Sequence, residues 1–219
     1  KTWGRSAICA GPCRDAAWRC QIDFNICSLP VKVHAIAKRA GIRIVKNKDV
    51  SELRAGEFGV SINDGYQWTI IYDDRMSLPE SRLVVAHELG HIFLGHEYRY
   101  PISRFAFTNR KHSFEREADM FTVRLLAPAF VLHELKIIDA DGIAALCGIP
   151  MSVALERSRR MSVLESRPRY YSSPLEKRLH ERFLPWITAV AGGEMRSELD
   201  ENSEPEPEVT AIIDSEHPY

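Results

Sequence analysis

The sequence HELGH at residues 87–91 is the feature that most constrains what this chain can fold into. It lies in a mostly apolar run at 83–95, which predicts a helix, and residues four apart on a helix share a face. His87 and His91 can therefore direct two imidazole nitrogens at one point. Glu88 follows His87 directly, so it points beside the pair, where an attacking water would lie. This spacing is typical of the helix that binds zinc in metallopeptidases.

The residues around the motif also favour a helix of about 80–95. Pro79 and Glu80 suit a first turn, and Gly95 suits a C-terminal stop. Gly90 in the middle costs about 1 kcal/mol relative to alanine, so we expect another part of the chain to approach the helix backbone there. An ordinary amphipathic helix with two histidines is the alternative. A third ligand decides between them, because a catalytic zinc usually takes three protein ligands and one water.

A second helix is predicted from Phe114 to about Leu126, with Ser113 as its N-cap. Glu115 and Asp119 are four apart and share a face. One can bind zinc while the other accepts the spare ring N–H of a ligand histidine and so fixes its tautomer. We therefore predict Glu115 as the third ligand and Asp119 as the acceptor. Glu117, turned about 200° from Glu115, is the alternative third ligand.

Upstream of the motif, the pattern indicates a helix at 29–40, which Gly41 ends, and three short strands. The predicted strands are 42–45, 58–62 and 66–72. The turn Asn63-Asp64-Gly65 makes the last two a hairpin, so a small antiparallel sheet is expected. The strand 66–72 could offer an edge to an extended peptide. Possible oxyanion donors, chosen only by polarity and loop position, are Tyr98, Tyr100 and His112.

Downstream, residues 143–157 have the cadence of a helix–turn–helix, and a last helix is predicted from Ser173-Pro174 to about Val190. Residues 194–219 hold nine acidic groups and one basic group, with Pro205 and Pro207, which favours disorder. Subtracting the tail's charge of −8 from the total of −1 leaves +7 for residues 1–193. A mildly basic body fits an acidic partner but does not require one.

Composition is that of a globular domain, with 45% hydrophobic and 27% charged residues. No apolar run approaches the ~18 residues of a membrane helix, and no secretion signal stands at the start. Because the first residue is lysine, we expect the printed sequence to begin at a trimmed or processed end. The cysteine count is five, and an odd count favours a reducing cytoplasm. Four of the five precede residue 28 and are interpreted as free thiols in a loosely packed leader: Cys9, Cys13, Cys20 and Cys27.

Three motifs together resemble the ImmA/IrrE family of zinc metallopeptidases. They are the segment 82–96 around HELGH, the sequence FEREAD at 114–119 and the sequence LLAP at 125–128. The resemblance extends over roughly residues 29–160.

The resemblance implies a zincin-like domain of the gluzincin type, with a small sheet and an active-site helix, followed by a helical segment like a helix–turn–helix. One zinc ion would be bound by His87, His91 and the glutamate of the second motif, with Glu88 catalytic. The implied substrate is a helix–turn–helix repressor of a prophage, mobile element or stress response. The expected organisation is a leader at 1–28, the peptidase domain at 29–128, a helical segment at 129–190 and an acidic disordered tail at 191–219.

Two alternatives stay open on the sequence alone. A DNA- or partner-binding regulator could carry a sensory or vestigial metal site and contact phosphates through residues near Arg157, Arg159 and Arg160. A toxin-like or secreted protease is the other. An intact Glu88 favours the enzyme, because a purely structural site needs no base. The ligand set also suits manganese or iron.

Overall fold

The structure is a computed structural model that describes residues 13–96, 109–166 and 170–193. Within these ranges the chain forms nine helices and three strands. The helices are α1 (Cys13–Asp23), α2 (Val33–Ala40), α3 (Asn47–Val50), α4 (Leu78–Leu94), α5 (Asn109–Leu126), α6 (Ala129–Glu134), α7 (Ala140–Cys147), α8 (Met151–Ser166) and α9 (Pro174–Ala191). The strands are β1 (Arg43–Lys46), β2 (Gly59–Asn63) and β3 (Trp68–Tyr72). This mixture confirms the predicted α+β class. None of the helices in these ranges has both the length and the apolar composition that a bilayer crossing requires.

The three strands form one sheet in the order β1–β3–β2. β2 and β3 are antiparallel, with Ser61 opposite Ile70, which confirms the predicted hairpin. β1 pairs with the other side of β3 in parallel, with Ile44 opposite Ile70. The sheet is therefore mixed, and the prediction of an antiparallel sheet is wrong for β1. A turn specifies only the pair that it joins, whereas β1 reaches β3 through a long connection that contains α3 and β2.

The prediction that strand 66–72 offers an edge to a peptide is also wrong. β3 is the central strand, and both of its sides are already paired. Among the described strands, β2 is paired on one side only and packs against α4. Its Gly59 lies so close to α4 that a Cβ there would collide with Val84. The open edge nearest the HELGH helix therefore belongs to β2.

The helix α4 begins and ends where its sequence provides caps. The Ser77 backbone N–H and hydroxyl both donate to Glu80 Oε2, at 2.9 and 2.6 Å, and close the first turn. Gly95 ends the helix in the left-handed conformation with φ 69°. The left-handed residue turns the chain back, so that the next residue, His96, is buried against the helix. The predicted helix is confirmed, with its start two residues earlier.

The helix α5 crosses α4 at Gly90. A Cβ at this position would lie 3.0 Å from Phe121 Cδ1 and 3.3 Å from Ala118 Cα. Phe121 and Ala118 are fully buried, so neither can move into solvent. The expectation of a close approach at Gly90 is therefore confirmed. The contact sets the separation of the two helices that carry the HELGH and FEREAD motifs.

We expect Gly90→Val to destabilise the protein by about 1–3 kcal/mol, because the added methyl groups overpack a buried helix contact. Urea unfolding of the metal-free protein measures this effect. Gly90→Ala provides an internal reference, since in an uncrowded helix it stabilises by up to about 1 kcal/mol. A stability gain of that size at this position would contradict the close approach.

The start of α5 differs from the prediction. The helix begins at Asn109, so Ser113 lies inside it and is not its N-cap. Residues 109–112 are polar and basic and show no apolar period, which is why the predicted helix began only at Phe114. The predicted apolar face is correct, since Ala118, Phe121 and Leu125 are fully buried.

The prediction of a loosely packed leader is wrong for residues 13–28. α1 packs against α5, and Ala17 and Trp18 are buried. The Gln21 side chain donates a buried hydrogen bond of 2.9 Å to the Leu125 carbonyl of α5. The spacing of the cysteines could not indicate that this segment is packed. The small residues of α1 that permit its close packing also show no strong apolar period. Cys20 is buried and Cys27 is an exposed free thiol, whereas Cys9 and the side chain of Cys13 lie outside the described residues.

The C-terminal helices complete one hydrophobic core with the rest of the described chain. Arg82 of α4 reaches across this core, donating at 2.8 Å to the Val31 carbonyl and at 3.2 Å to the Gly148 carbonyl between α7 and α8. The helix–turn–helix character of α7 and α8 and the predicted domain boundaries stay predictions. The predicted last helix is confirmed as α9, where the Ser173 hydroxyl accepts from the Leu175 N–H. The acidic tail lies outside the described residues.

Candidate metal centre

His87 and His91 lie one turn apart on α4 and present the same ring atom to one another. Their Nε2 atoms are 3.0 Å apart, and the ring centroids are 4.8 Å apart. His91 is buried and His87 is half-buried at the surface of the helix pair. The i, i+4 spacing therefore produces the convergence that the sequence predicted.

Glu115 of α5 completes the group. Its Oε2 lies 3.2 Å from His87 Nε2 and 3.6 Å from His91 Nε2. Glu117 points elsewhere: its Oε1 is 3.4 Å from the Ser113 hydroxyl, which donates to it. Among the described residues, the one group of histidine, cysteine and carboxylate atoms close enough to share an ion is His87, His91 and Glu115. The structure thus brings Glu115, not Glu117, to the histidines.

The spacing of these atoms fits a tetrahedral ion. Zinc–nitrogen bonds of about 2.0–2.1 Å at a tetrahedral angle place neighbouring ligand atoms about 3.3 Å apart. The observed separations of 3.0, 3.2 and 3.6 Å bracket that value. Two imidazoles and one carboxylate are also the donor set of several catalytic zinc sites, in which a fourth position stays free.

Asp119 lies behind His87. Its Oδ1 is 3.0 Å from His87 Nδ1, the ring nitrogen on the side away from the cluster. A carboxylate at this position accepts the Nδ1–H and keeps the Nε2 lone pair directed at the ion. The structure thus brings Asp119 within hydrogen-bonding distance of His87, and its role in fixing the tautomer stays a prediction.

Glu88 is buried beside the cluster and faces the sheet. Its Oε1 is 3.5 Å from the point that a Cβ on Gly59 would occupy. A side chain on that residue of β2 would therefore touch the glutamate. The absence of one leaves room for the Glu88 carboxylate between α4 and β2.

His96 is a residue of the site that sequence reasoning missed. It is 1% exposed, and its Nδ1 lies 2.9 Å from His91 Nδ1. Its ring stacks on Phe114 of α5, with centroids 4.7 Å apart. The sequence did contain an indication of this position, because Gly95 ends the helix in the left-handed conformation and so turns the chain back towards it. The predicted helix ended at about residue 95, so His96 was not expected to contact it. The oxyanion candidates Tyr98 and Tyr100, and the side chain of His112, lie outside the described residues.

The two carboxylates control the protonation of His87 in the metal-free protein. Burial lowers the pKa of His87, but hydrogen bonds with Asp119 and Glu115 outweigh burial and raise this pKa to about 10. The hydrogen bond from His87, together with the nearby imidazole of His91, holds the pKa of Glu115 well below its usual value. Burial and the charge of His91 lower the pKa of His96 to about 4. At neutral pH His87 is therefore protonated in the metal-free protein, and its Nε2 lone pair is not available to a metal ion.

We expect zinc binding at pH 7 to release about one proton, because zinc needs the His87 lone pair and the pKa of this residue lies above the working pH. The apparent affinity should rise about tenfold per pH unit from pH 6 to 8, in which Glu115 remains ionised. Calorimetry in two buffers of different ionisation enthalpy measures the release. Equal apparent enthalpies in both buffers would contradict a protonated His87.

A family model for the IrrE N-terminal-like domain, peptidase family M78, matches residues 37–159. This match covers more than half of the chain and includes α4, α5 and the three residues of the cluster. The fold and site define a metallopeptidase-like α+β domain. The chain belongs to the M78 peptidase family, in agreement with the ImmA/IrrE resemblance. No curated protein matches the chain.

Proposed function

We propose that this protein is a zinc-dependent endopeptidase that hydrolyses a peptide bond in a partner protein. One observation carries the proposal: the nitrogens of His87 and His91 and an oxygen of Glu115 meet at one point, with buried Glu88 beside them. No fourth ligand from the described residues joins the group. A structural zinc would fill that place with cysteine or histidine, whereas a catalytic one leaves it to solvent.

The proposed role of each residue follows from the position of its side chain. His87, His91 and Glu115 would hold a zinc ion, which would supply the Lewis acidity that lowers the pKa of water towards neutrality and polarises the scissile carbonyl. Glu88 takes the proton from the attacking water and later delivers it to the leaving amine. Asp119 holds the ring of His87 in the tautomer that binds the ion.

The substrate chain is proposed to lie along β2. The outer edge of β2 has no partner among the described strands, and such an edge can pair with an extended peptide. Gly59 on this strand lies directly against α4 near Glu88. A peptide paired there would pass Glu88 without a side chain of residue 59 between them.

The proposed substrate is a helix–turn–helix repressor of a mobile element, prophage or stress response, and the proposed location is the cytoplasm. Family membership supports a protein substrate, and the repressor class rests on the ImmA/IrrE resemblance alone. The free thiols of Cys27 and Cys147 support a reducing compartment. For the regulator alternative, Arg157 is buried and donates to the Ala127 carbonyl, so its charge does not face a phosphate, whereas Arg159 and Arg160 are exposed.

The test is to incubate the zinc-loaded protein with the helix–turn–helix protein encoded next to its gene, and to identify product termini by mass spectrometry. Cleavage at one internal bond by the wild type, absent with Glu88→Gln, is the expected result. Salt-sensitive binding of duplex DNA without any cleavage would favour the regulator instead. Cleavage of other proteins but not of this one would reject the repressor and retain the peptidase.

A further inference from the structure

His96 occupies a position that the proposed chemistry does not yet use. It directly follows the residue that ends α4, it is 1% exposed, and it packs between His91 and Phe114. Buried imidazole nitrogens need polar partners, because an unsatisfied one retains its full desolvation cost. The contacts of the two ring nitrogens of His96 therefore indicate its role in the site.

The donor in the hydrogen bond between His91 and His96 can be assigned. His91 Nε2 faces His87 Nε2 and the carboxylate of Glu115, so it must offer a lone pair to an ion. The proton of His91 then sits on Nδ1, which is 2.9 Å from His96 Nδ1. His91 donates this hydrogen bond and His96 accepts it. A neutral His96 consequently carries its own proton on Nε2.

The second nitrogen of His96 faces Glu117. Among the described residues, His96 Nε2 has no hydrogen-bond partner within bonding geometry, and Glu117 Oε2 lies 3.5 Å away. A carboxylate at that distance favours an N–H on Nε2 and thereby leaves Nδ1 free to accept from His91. Glu117 thus has a place in the site although it is turned away from the ion.

We propose that His96, oriented by Glu117, is a positioning residue that fixes the tautomer and ring orientation of His91. This inference rests on the metal site of the proposed function. Each ligand histidine then has a carboxylate behind it: Asp119 contacts His87 directly, and Glu117 acts on His91 through His96. Partners of this kind typically contribute 10- to 100-fold to metal affinity.

The competing interpretation is that His96 only fills space beside Phe114. Two substitutions separate the interpretations. His96→Phe retains an aromatic ring that can stack on Phe114 but removes the acceptor. His96→Asn loses the ring, yet its amide can place an acceptor oxygen near the position of Nδ1. A packing role predicts that phenylalanine is the better replacement, whereas a positioning role predicts that asparagine is.

The experiment measures zinc affinity by competition with a chelator, together with the visible spectrum of the cobalt-loaded protein and the urea stability of the metal-free protein. We expect His96→Phe to lower zinc affinity about 10- to 100-fold and to shift the cobalt spectrum. His96→Asn should recover most of the affinity. Glu117→Gln should lower it by up to about tenfold. His133→Phe is the matched control, because His133 also contacts a carboxylate, Glu165 at 2.8 Å, outside the site.

Equal affinity of wild type and His96→Phe would overturn the positioning role while leaving the metal site intact. Failure of the wild type itself to bind zinc would instead reject the metal site on which this inference rests. If His96→Phe does not fold, Glu117→Gln and His96→Asn decide. Wild-type affinity and an unchanged cobalt spectrum for Glu117→Gln, with weak binding by His96→Asn, would contradict the proposal.

Discussion

Glu88→Gln is expected to reduce peptide hydrolysis roughly 10²- to 10⁴-fold while one zinc ion per chain stays bound. The substitution removes the proton acceptor and leaves the three proposed ligands in place. Because Glu88 is buried beside β2 and is not one of the three clustered ligand residues, its shape-conserving replacement should preserve both the ion and the fold. Hydrolysis is measured by the appearance of a new amino terminus, and zinc is measured by elemental analysis of the same sample.

The matched control is Glu80→Gln on the same helix. Glu80 only closes the first turn of α4 with Ser77 and lies far from the histidines along the helix. Full activity of this variant would show that loss in Glu88→Gln is not a general effect of glutamate removal from α4. Undiminished hydrolysis by Glu88→Gln would remove the proposed base from the mechanism.

Glu115→Gln is expected to lower zinc affinity more than about 100-fold, beyond the loss that removal of an outer partner produces. A carboxylate oxygen within 3.2 Å of His87 Nε2 is replaced by a neutral amide, so the site loses a charged ligand. Glu117→Gln makes the same chemical change two residues further along α5, where we expect a loss of at most about tenfold. Chelator competition on both variants gives the ratio directly.

The order of these two losses discriminates between the candidate third ligands. A larger loss for Glu117→Gln would mean that α5 rotates when metal binds and that Glu117 replaces Glu115. Urea unfolding of the metal-free variants provides the control for stability, because neither carboxylate anchors the core: Glu115 is 42% exposed and Glu117 is 39% exposed.

The position of α4 and its histidines was predictable because every signal acts within the helix itself. The i, i+4 spacing, Glu80 in the first turn and Gly95 at the end all refer to neighbours in sequence. Gly90 also predicted a contact beyond the helix, because the helix-propensity cost of a central glycine indicates that another part of the chain approaches closely. The glycine gave no indication that this part of the chain is α5.

The choice between Glu115 and Glu117 was harder, because helix periodicity gives only relative directions. A difference of about 200° shows that the two side chains diverge but does not show which one faces α4. The pairing of Glu115 with Asp119 was the deciding argument, and the structure places both side chains against His87. The rotation of α5 itself is set by contacts with Gly90 that no local pattern encodes.

Long-range contacts account for what the sequence did not reveal. The parallel pairing of β1 depends on a connection that contains β2, so the turn at 63–65 carried no information about it. The burial of α1 depends on α5, which lies about a hundred residues away, as the hydrogen bond from Gln21 to Leu125 illustrates. His96 joins the site only because the chain reverses at Gly95.

The proposed function requires that His87, His91 and Glu115 bind one divalent ion and leave a fourth position to solvent. X-ray absorption spectroscopy of the zinc-loaded protein measures this ligand set. We expect one zinc per chain, surrounded by two imidazole nitrogens and two oxygens, with one imidazole lost in His91→Ala. A sulfur or a third imidazole around the zinc, or a spectrum unchanged by His91→Ala, would contradict it.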